Sequence, residues 1–188
     1  MAWPVRTTRM AYANRWIRVR EDVVVRPGGD EGIYGVVEMV QPAVFIVALT
    51  NNDEVLLVTV DRHTVGTSIE VPAGGTDGED PLLAAKRELL EETGYEASSW
   101  QEIGRMTALN GVARAPEHVF LATGLARTAS ANEHQAEEGI AELRAVPWAE
   151  VMSMVQAGHI TDGETLGALM FAAITLGRIS TRDDSPRD

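Results

Sequence analysis

The stretch VPAGGTDGEDPLLAAKRELLEETGY, residues 71–95, sets three glutamates, Glu88, Glu91 and Glu92, within five positions of one another. Asp80 is a good N-cap, and Pro81 follows at the first helical position, where its missing N–H leaves no bond unmade. Gly94 can take the left-handed conformation that ends a helix. These signals predict a helix from Asp80 to about Thr93, with Leu82, Ala85 and Leu89 forming its buried stripe. On such a helix Glu88 shares a face with both Glu91 and Glu92, and each exposed like-charge pair costs about 0.2–0.5 kcal/mol. Lys86 and Arg87 offset part of that cost, Arg87 lying four residues before Glu91. From these residues alone two readings stay open. One is a solvated acidic face laced with ion pairs. The other is a set of convergent carboxylates, the hard-oxygen ligands that Mg²⁺ or Mn²⁺ prefers.

Outward from the helix the pattern is rich in strands. Alternation around Trp16–Val19 and the β-branched run Val23–Val25 predict a first strand, PGGDEG a turn, and Ile33–Val40 a second strand. TNNDE turns between two apolar segments, Val44–Leu49 and Val55–Val60, which read as a second hairpin. TSIEVPAGG reads as a short strand ending at Pro72, and WQEIGRMTAL, EHVFLATGLART and GIAELRAVPW as further strands. Two more helices are expected, a short one near Trp148–Ala157 and a longer one over Gly163–Leu176, before a polar, flexible tail at 181–188. The regular strand–helix alternation of a doubly wound sheet is missing. The expected class is therefore α/β in the broad sense, an α+β mixed sheet with helices on its faces.

At 188 residues the chain can bury a core without cross-links. It has no cysteine, which excludes disulfides, zinc–thiolate sites and a cysteine nucleophile. A formal charge of −12, with no run of Lys or Arg, argues against nucleic acid as a partner. No apolar run reaches membrane-spanning length, so no membrane partner is expected either. The first residues lack the apolar core of a signal peptide. A cytoplasmic location is the default expectation.

The helix segment resembles the Nudix hydrolase signature: Gly, five residues, Glu, seven residues, Arg-Glu-hydrophobic, one residue, Glu-Glu, one residue, Gly-hydrophobic. Glu79, Arg87, Glu88, Leu89, Glu91, Glu92, Gly94 and Tyr95 fall in register. Ala73 stands where the leading glycine is usual, and Gly74 and Gly75 come one and two positions late, as if the loop had lost a residue. The resemblance implies a Nudix α/β/α sandwich. It implies Glu88, Glu92 and Glu91 as metal ligands for Mg²⁺ (Mn²⁺ possible), with a backbone carbonyl at Ala73 or Gly74 completing the shell. Arg87 would orient the glutamates, and Glu79 would brace the loop.

Beyond the signature, RWIRVREDVVVRPGG, VDRHTVGTSIEVPAGG, EHVFLATGL and GHITDGETLGAL resemble the ADP-ribose pyrophosphatase branch. That branch implies an N-terminal β extension (1–40) that builds a homodimer, ahead of a catalytic domain (41–180). It implies Trp16 as a platform for a base, with Tyr34 as a second, Arg62 as a grip on the diphosphate, and Glu70 beside the pocket. His63 reads as structural or as a substrate-edge contact. A glutamate of the late loop is the expected base, Glu138 or Glu137, with Glu133 as a weaker option. Asn110, before Gly111, stands where members specific for ADP-ribose usually carry a proline, which leaves the sugar half of the substrate open. The implied activity is hydrolysis of the diphosphate bond of ADP-ribose or a related nucleoside diphosphate sugar to two monophosphates. Alternatives are another nucleotide substrate, such as a dinucleotide or a nucleoside triphosphate, and a non-catalytic ligand sensor.

Overall fold

The computed structural model describes residues 3–128 and 140–179; the tail at 181–188 and the loop acids Glu133, Glu137 and Glu138 lie outside the described residues. In chain order the first half holds β1 (Val5–Ala13), β2 (Ile17–Val25), β3 (Glu31–Met39), β4 (Ala43–Ala48), β5 (Glu54–Arg62), β6 (Gly66–Glu70), β7 (Ala73–Gly75) and α1 (Pro81–Thr93). The second half holds β8 (Tyr95–Thr107), β9 (Ala113–Arg114), β10 (Pro116–Arg127), β11 (Ile140–Pro147), α2 (Trp148–Gln156) and α3 (Gly163–Thr175). The strands form three sheets, ordered β1-β2-β3-β9, β7-β4-β10-β8 and β11-β5-β6. The mixed α and β class expected from the sequence holds.

Strand period explains how one polypeptide serves two helix layers. Along β4, Val44, Ile46 and Ala48 face one way, and they meet Ala84, Ala85 and Leu89 of α1. The alternate residues Phe45 and Val47 face the opposite way, toward Ala168, Leu169 and Ala172 of α3 and Val151 of α2. β10, parallel to β4, divides in the same manner, with Phe120 and Ala122 toward α1 and Val119 and Leu121 toward α3. A strand buried on both faces must be apolar at every position. That is why AVFIVA and VFLA read as continuous runs instead of alternating ones.

Four expectations need correction. The segment VRTTRMAYA was not read as a strand, yet it forms β1, antiparallel to β2 and exposed along its whole length. Trp16 does not open a strand: it lies in the β1–β2 turn, where Asn14 Oδ1 accepts from the Trp16 and Ile17 N–H groups, both at 2.8 Å. β4 and β5 are not a paired hairpin. Beyond a single bridge, Leu49 to Val55, they separate into different sheets, β4 pairing with β10 and β7, and β5 with β11 and β6. The strand expected to end at Pro72 is β6 and ends at Glu70, and a separate short strand, β7, follows Pro72 on a different sheet.

α1 has the expected caps. Asp80 accepts from the Leu82 N–H at 3.0 Å, and Gly94 has φ 70° with its N–H on Leu90 O. Its buried face carries Ala84, Ala85, Leu89 and Thr93, together with Glu88 and Glu92, while Leu83 is exposed. Among the described residues no helix is long and apolar enough to cross a membrane. Leu89→Ala should cost about 2–5 kcal/mol, whereas Leu83→Ala should stay within about 0.5 kcal/mol. Denaturant melts of the two variants check which face of α1 is packed.

Candidate active site

Two of the three crowded acids, Glu88 and Glu92, are only 7% exposed, so the solvated-face reading fails for them. What holds the cluster together is Arg87. Its Nε donates to Glu79 at 3.1 Å, its Nη1 to Glu88 at 2.7 Å and to Glu91 at 3.0 Å, and its Nη2 to the Gly75 carbonyl at 2.9 Å. Desolvation pulls the Arg87 pKa down, but the hydrogen bond to Glu79 and the charge of and bond to Glu88 outweigh it and raise the pKa. The guanidinium is a fixed positive charge at the centre of the acids.

The loop from β7 to α1 supplies the opposite wall. β7 is pinned by antiparallel pairing of Ala43, Val44 and Phe45 with Gly75, Gly74 and Ala73. The Ala73 N–H donates to Glu92 at 2.9 Å. A Cβ placed on Gly74 would collide with the Glu88 carboxyl group. Gly74 is therefore the glycine that the close approach demands, and Ala73 is tolerated because its side chain turns away from that contact. The loop then closes through buried Thr76, whose N–H reaches Pro42 O and whose carbonyl accepts from Glu79. Asp77 and Gly78, at φ 49° and 86°, complete the tight turn.

Among the described residues no three acids or histidines converge on one point as a metal cage. Oxygens of Glu88 and Glu91 instead meet Arg87, and one of Glu92 meets the Ala73 N–H. The donor set still suits a hard divalent cation: two buried carboxylates, a third beside them, and backbone carbonyls of β7 on a wall with no room for a side chain at Gly74.

Beside this face lies a cavity of about 400 Å³ that holds Arg62 and Glu70. The two form a bidentate pair, Nε to Oε1 at 3.1 Å and Nη2 to Oε2 at 2.6 Å. That hydrogen bond, against desolvation and with the charges of Glu70, Glu92 and Asp162, raises the Arg62 pKa. The charge of Glu92 thus reaches the cavity, so it adjoins the carboxylate face. Sequence reasoning named Arg62 and Glu70 but missed Glu117, Asp162 and Glu164, which line the same cavity. Burial first, then the charges of Glu164 and Asp162, pushes the Glu117 carboxyl up to about 7. Burial also raises Glu164, with help from its hydrogen bond to Asp162. An acid at the start of a strand gives no local sign of such surroundings; only the meeting of β10 with α3 creates them.

Tyr34, Asn110 and Gly111 come together elsewhere. The Tyr34 hydroxyl donates to the Gly111 carbonyl, Trp3 packs edge-on against Tyr34 at 5.7 Å, and Asn110 lines a cavity of about 580 Å³ with Arg20 and Asp22. Trp16 lines none of these cavities within one chain; the Arg15 guanidinium covers its exposed ring at 4.0 Å.

A family model described as the NUDIX domain matches residues 39–169, and one described as the nucleoside diphosphate sugar hydrolase N-terminal domain matches residues 3–37. An ADP-ribose pyrophosphatase of Mycobacterium tuberculosis is 37% identical over 163 residues, covering 85% of this chain and 78% of that protein. A GDP-mannose pyrophosphatase of Yersinia enterocolitica is 30% identical over 115 residues, 61% of this chain and 60% of the relative. The crystal structure of an ADP compounds hydrolase superposes with a TM-score of 0.80 at 18% identity, covering 95% of this chain and 98% of that one, a likeness of fold. With the signature in register on a capped helix and the family model spanning most of its length, the chain belongs to the NUDIX family of pyrophosphohydrolases.

Proposed function

We propose that this protein hydrolyses the diphosphate bond of ADP-ribose or a related nucleoside diphosphate sugar, giving two monophosphates. The observation that carries the reading is the Arg87 clamp, one guanidinium joining Glu79, Glu88, Glu91 and the Gly75 carbonyl on the face of α1 that also buries Glu92. Glu88 and Glu92, with Glu91 beside them and a carbonyl at Ala73 or Gly74, would hold Mg²⁺ or Mn²⁺. When bound, such ions neutralise charge on the diphosphate and make a water more acidic. Arg87 keeps the carboxylates from drifting apart when their charge is not otherwise balanced. Arg62, with Nε and Nη2 already committed to Glu70, would present its Nη1 edge to a phosphate oxygen. A water oxygen bonds to phosphorus, the bridging P–O bond breaks, and the water's proton passes to a carboxylate of the late loop, Glu138 or Glu137.

The same reading includes a cytoplasmic homodimer built through the N-terminal extension. Supporting it, β1 is exposed along its whole length, pairs among the described residues with β2 alone, and carries Val5, Met10 and Tyr12 at the sheet edge, next to exposed Trp3 and Trp16. A long apolar edge left open invites pairing with another chain. Trp16 and Tyr34, which do not line the Arg62 cavity within one chain, would then serve a site completed by the partner.

Purified protein incubated with Mg²⁺ or Mn²⁺ and a panel of nucleoside diphosphate sugars, dinucleotides and nucleoside triphosphates should release monophosphates from the diphosphate sugars. Turnover confined to triphosphates, or absent throughout, would refute the reading. Glu92→Gln should lose about two orders of magnitude or more in kcat, since several kcal/mol of charge stabilisation depend on it. Gly74→Ala should push Glu88 aside, costing about 1–3 kcal/mol of stability and most of the activity. Light scattering should give twice the 20.4 kDa chain mass, and a single-chain mass would contradict the dimer.

A further inference from the structure

The described structure contains one buried side-chain oxygen with no hydrogen-bond partner, Oε2 of Glu117. Glu117 is 6% exposed, and it lines both the Arg62–Glu70 cavity and a second, largely apolar cavity of about 300 Å³ walled by Val37, Met39, Leu109 and Val112. Glu164 borders both cavities as well. A buried carboxyl oxygen without a partner is rare and costly in a folded protein, and it marks a place where something else supplies the bond.

The charge around that oxygen narrows what the missing partner can be. Arg62, a cation on the cavity wall, commits Nε and Nη2 to Glu70 and keeps only its Nη1 edge, which the diphosphate would take. Asp162 and Glu164 add acid from the start of α3. The positive end of that helix would by itself favour an anion. Here it is taken up by its own residues, Asp162 accepting from the Thr165 N–H at 2.7 Å and Glu164 occupying the first turn. With the Nη1 edge of Arg62 taken by the diphosphate, a further phosphate or carboxylate beside Glu117 would meet Glu117, Asp162 and Glu164 and no second cation among the residues lining the cavity. A hydroxyl group would meet acceptors.

We propose that the cavity around Glu117 is the recognition site for the terminal group of the substrate, and that it selects an uncharged polyhydroxyl group and rejects an anionic one. Glu117 bonds a sugar hydroxyl through Oε2, Asp162 and Glu164 repel a terminal carboxylate or phosphate, and the adjoining apolar cavity receives the C–H face of the ring. This rests on the diphosphate-sugar reading of the same site, and it adds which terminal groups that site accepts. The pKa of Glu117, pushed up to about 7 chiefly by burial, fits a carboxyl that can also donate its proton to a sugar oxygen near neutral pH.

The test pairs a nucleoside diphosphate hexose with the matching hexuronate, which differ by one carboxylate at the far end. The wild type should favour the hexose by about tenfold or more in kcat/KM, the scale on which a site with committed polar groups discriminates. Glu117→Leu should raise KM for the hexose about tenfold with kcat little changed, the pattern of lost ground-state binding. Glu117→Gln, which keeps the reach but not the charge, should narrow the hexose-to-uronate ratio. Calorimetric titration with both compounds reads the same preference without turnover. Equal turnover or binding of the two compounds by the wild type, or ratios unmoved in both variants, would overturn the proposal while leaving the diphosphate reading intact. If neither compound binds or turns over, both fail. Thermal melts separate a folding role: Glu117→Leu should melt no lower than the wild type, and a large drop without a change in ratio would assign Glu117 to the fold instead.

Discussion

The structure around α1 depends on one constraint: carboxylates that repel one another must be held together before any ligand is present. Arg87 meets it by spending four N–H contacts on three acids and a loop carbonyl. Because Gly75 is among its partners, the clamp also fixes the β7 loop to the helix. Because Gly74 has no side chain, the loop can come close enough for that bond to form. Ala73 then points its N–H at Glu92, the acid that Arg87 does not reach through any of these bonds. Loop, helix and charge cluster are thus one unit, and displacing any part loosens the others.

The sheets carry that unit and set the cavity beside it. β4 is the hinge of the arrangement, paired with β7 on one side and β10 on the other, and buried against α1 on one face and α3 on the opposite face. β7 delivers the backbone that meets Glu88 and Glu92, while β10 delivers Glu117 to the side facing α3. The polar cavity therefore forms between β5, β6, β10 and the start of α3, within electrostatic reach of Glu92. Val71 and Thr165 tie these parts through a buried hydrogen bond of 3.1 Å.

What the sequence disclosed follows the range of the forces involved. The caps, span and buried stripe of α1 depend on residues a few positions apart, and they were readable, as were α2 and α3. β1 was not, because VRTTRMAYA is exposed on both faces and so carries none of the alternation that burial imposes. The false hairpin of β4 and β5 came from a good turn between two good strands; which sheet each joins is settled by pairing with β10 and β11, far along the chain. The displaced glycines could be counted but not explained until Gly74 was found pressed against Glu88. Glu117, Asp162 and Glu164 escaped notice because each is ordinary in its own segment.

The central claim is that the acidic face of α1, braced by Arg87, is a cation platform. Mn²⁺ titration of the purified protein, followed by electron paramagnetic resonance of the free ion, tests it without reference to any substrate. The wild type should bind Mn²⁺, and Glu88→Gln should weaken that binding by about tenfold or more, the least expected even from losing a residue that only supports a ligand. Equal Mn²⁺ binding by the wild type and by a folded Glu88→Gln variant would contradict the claim.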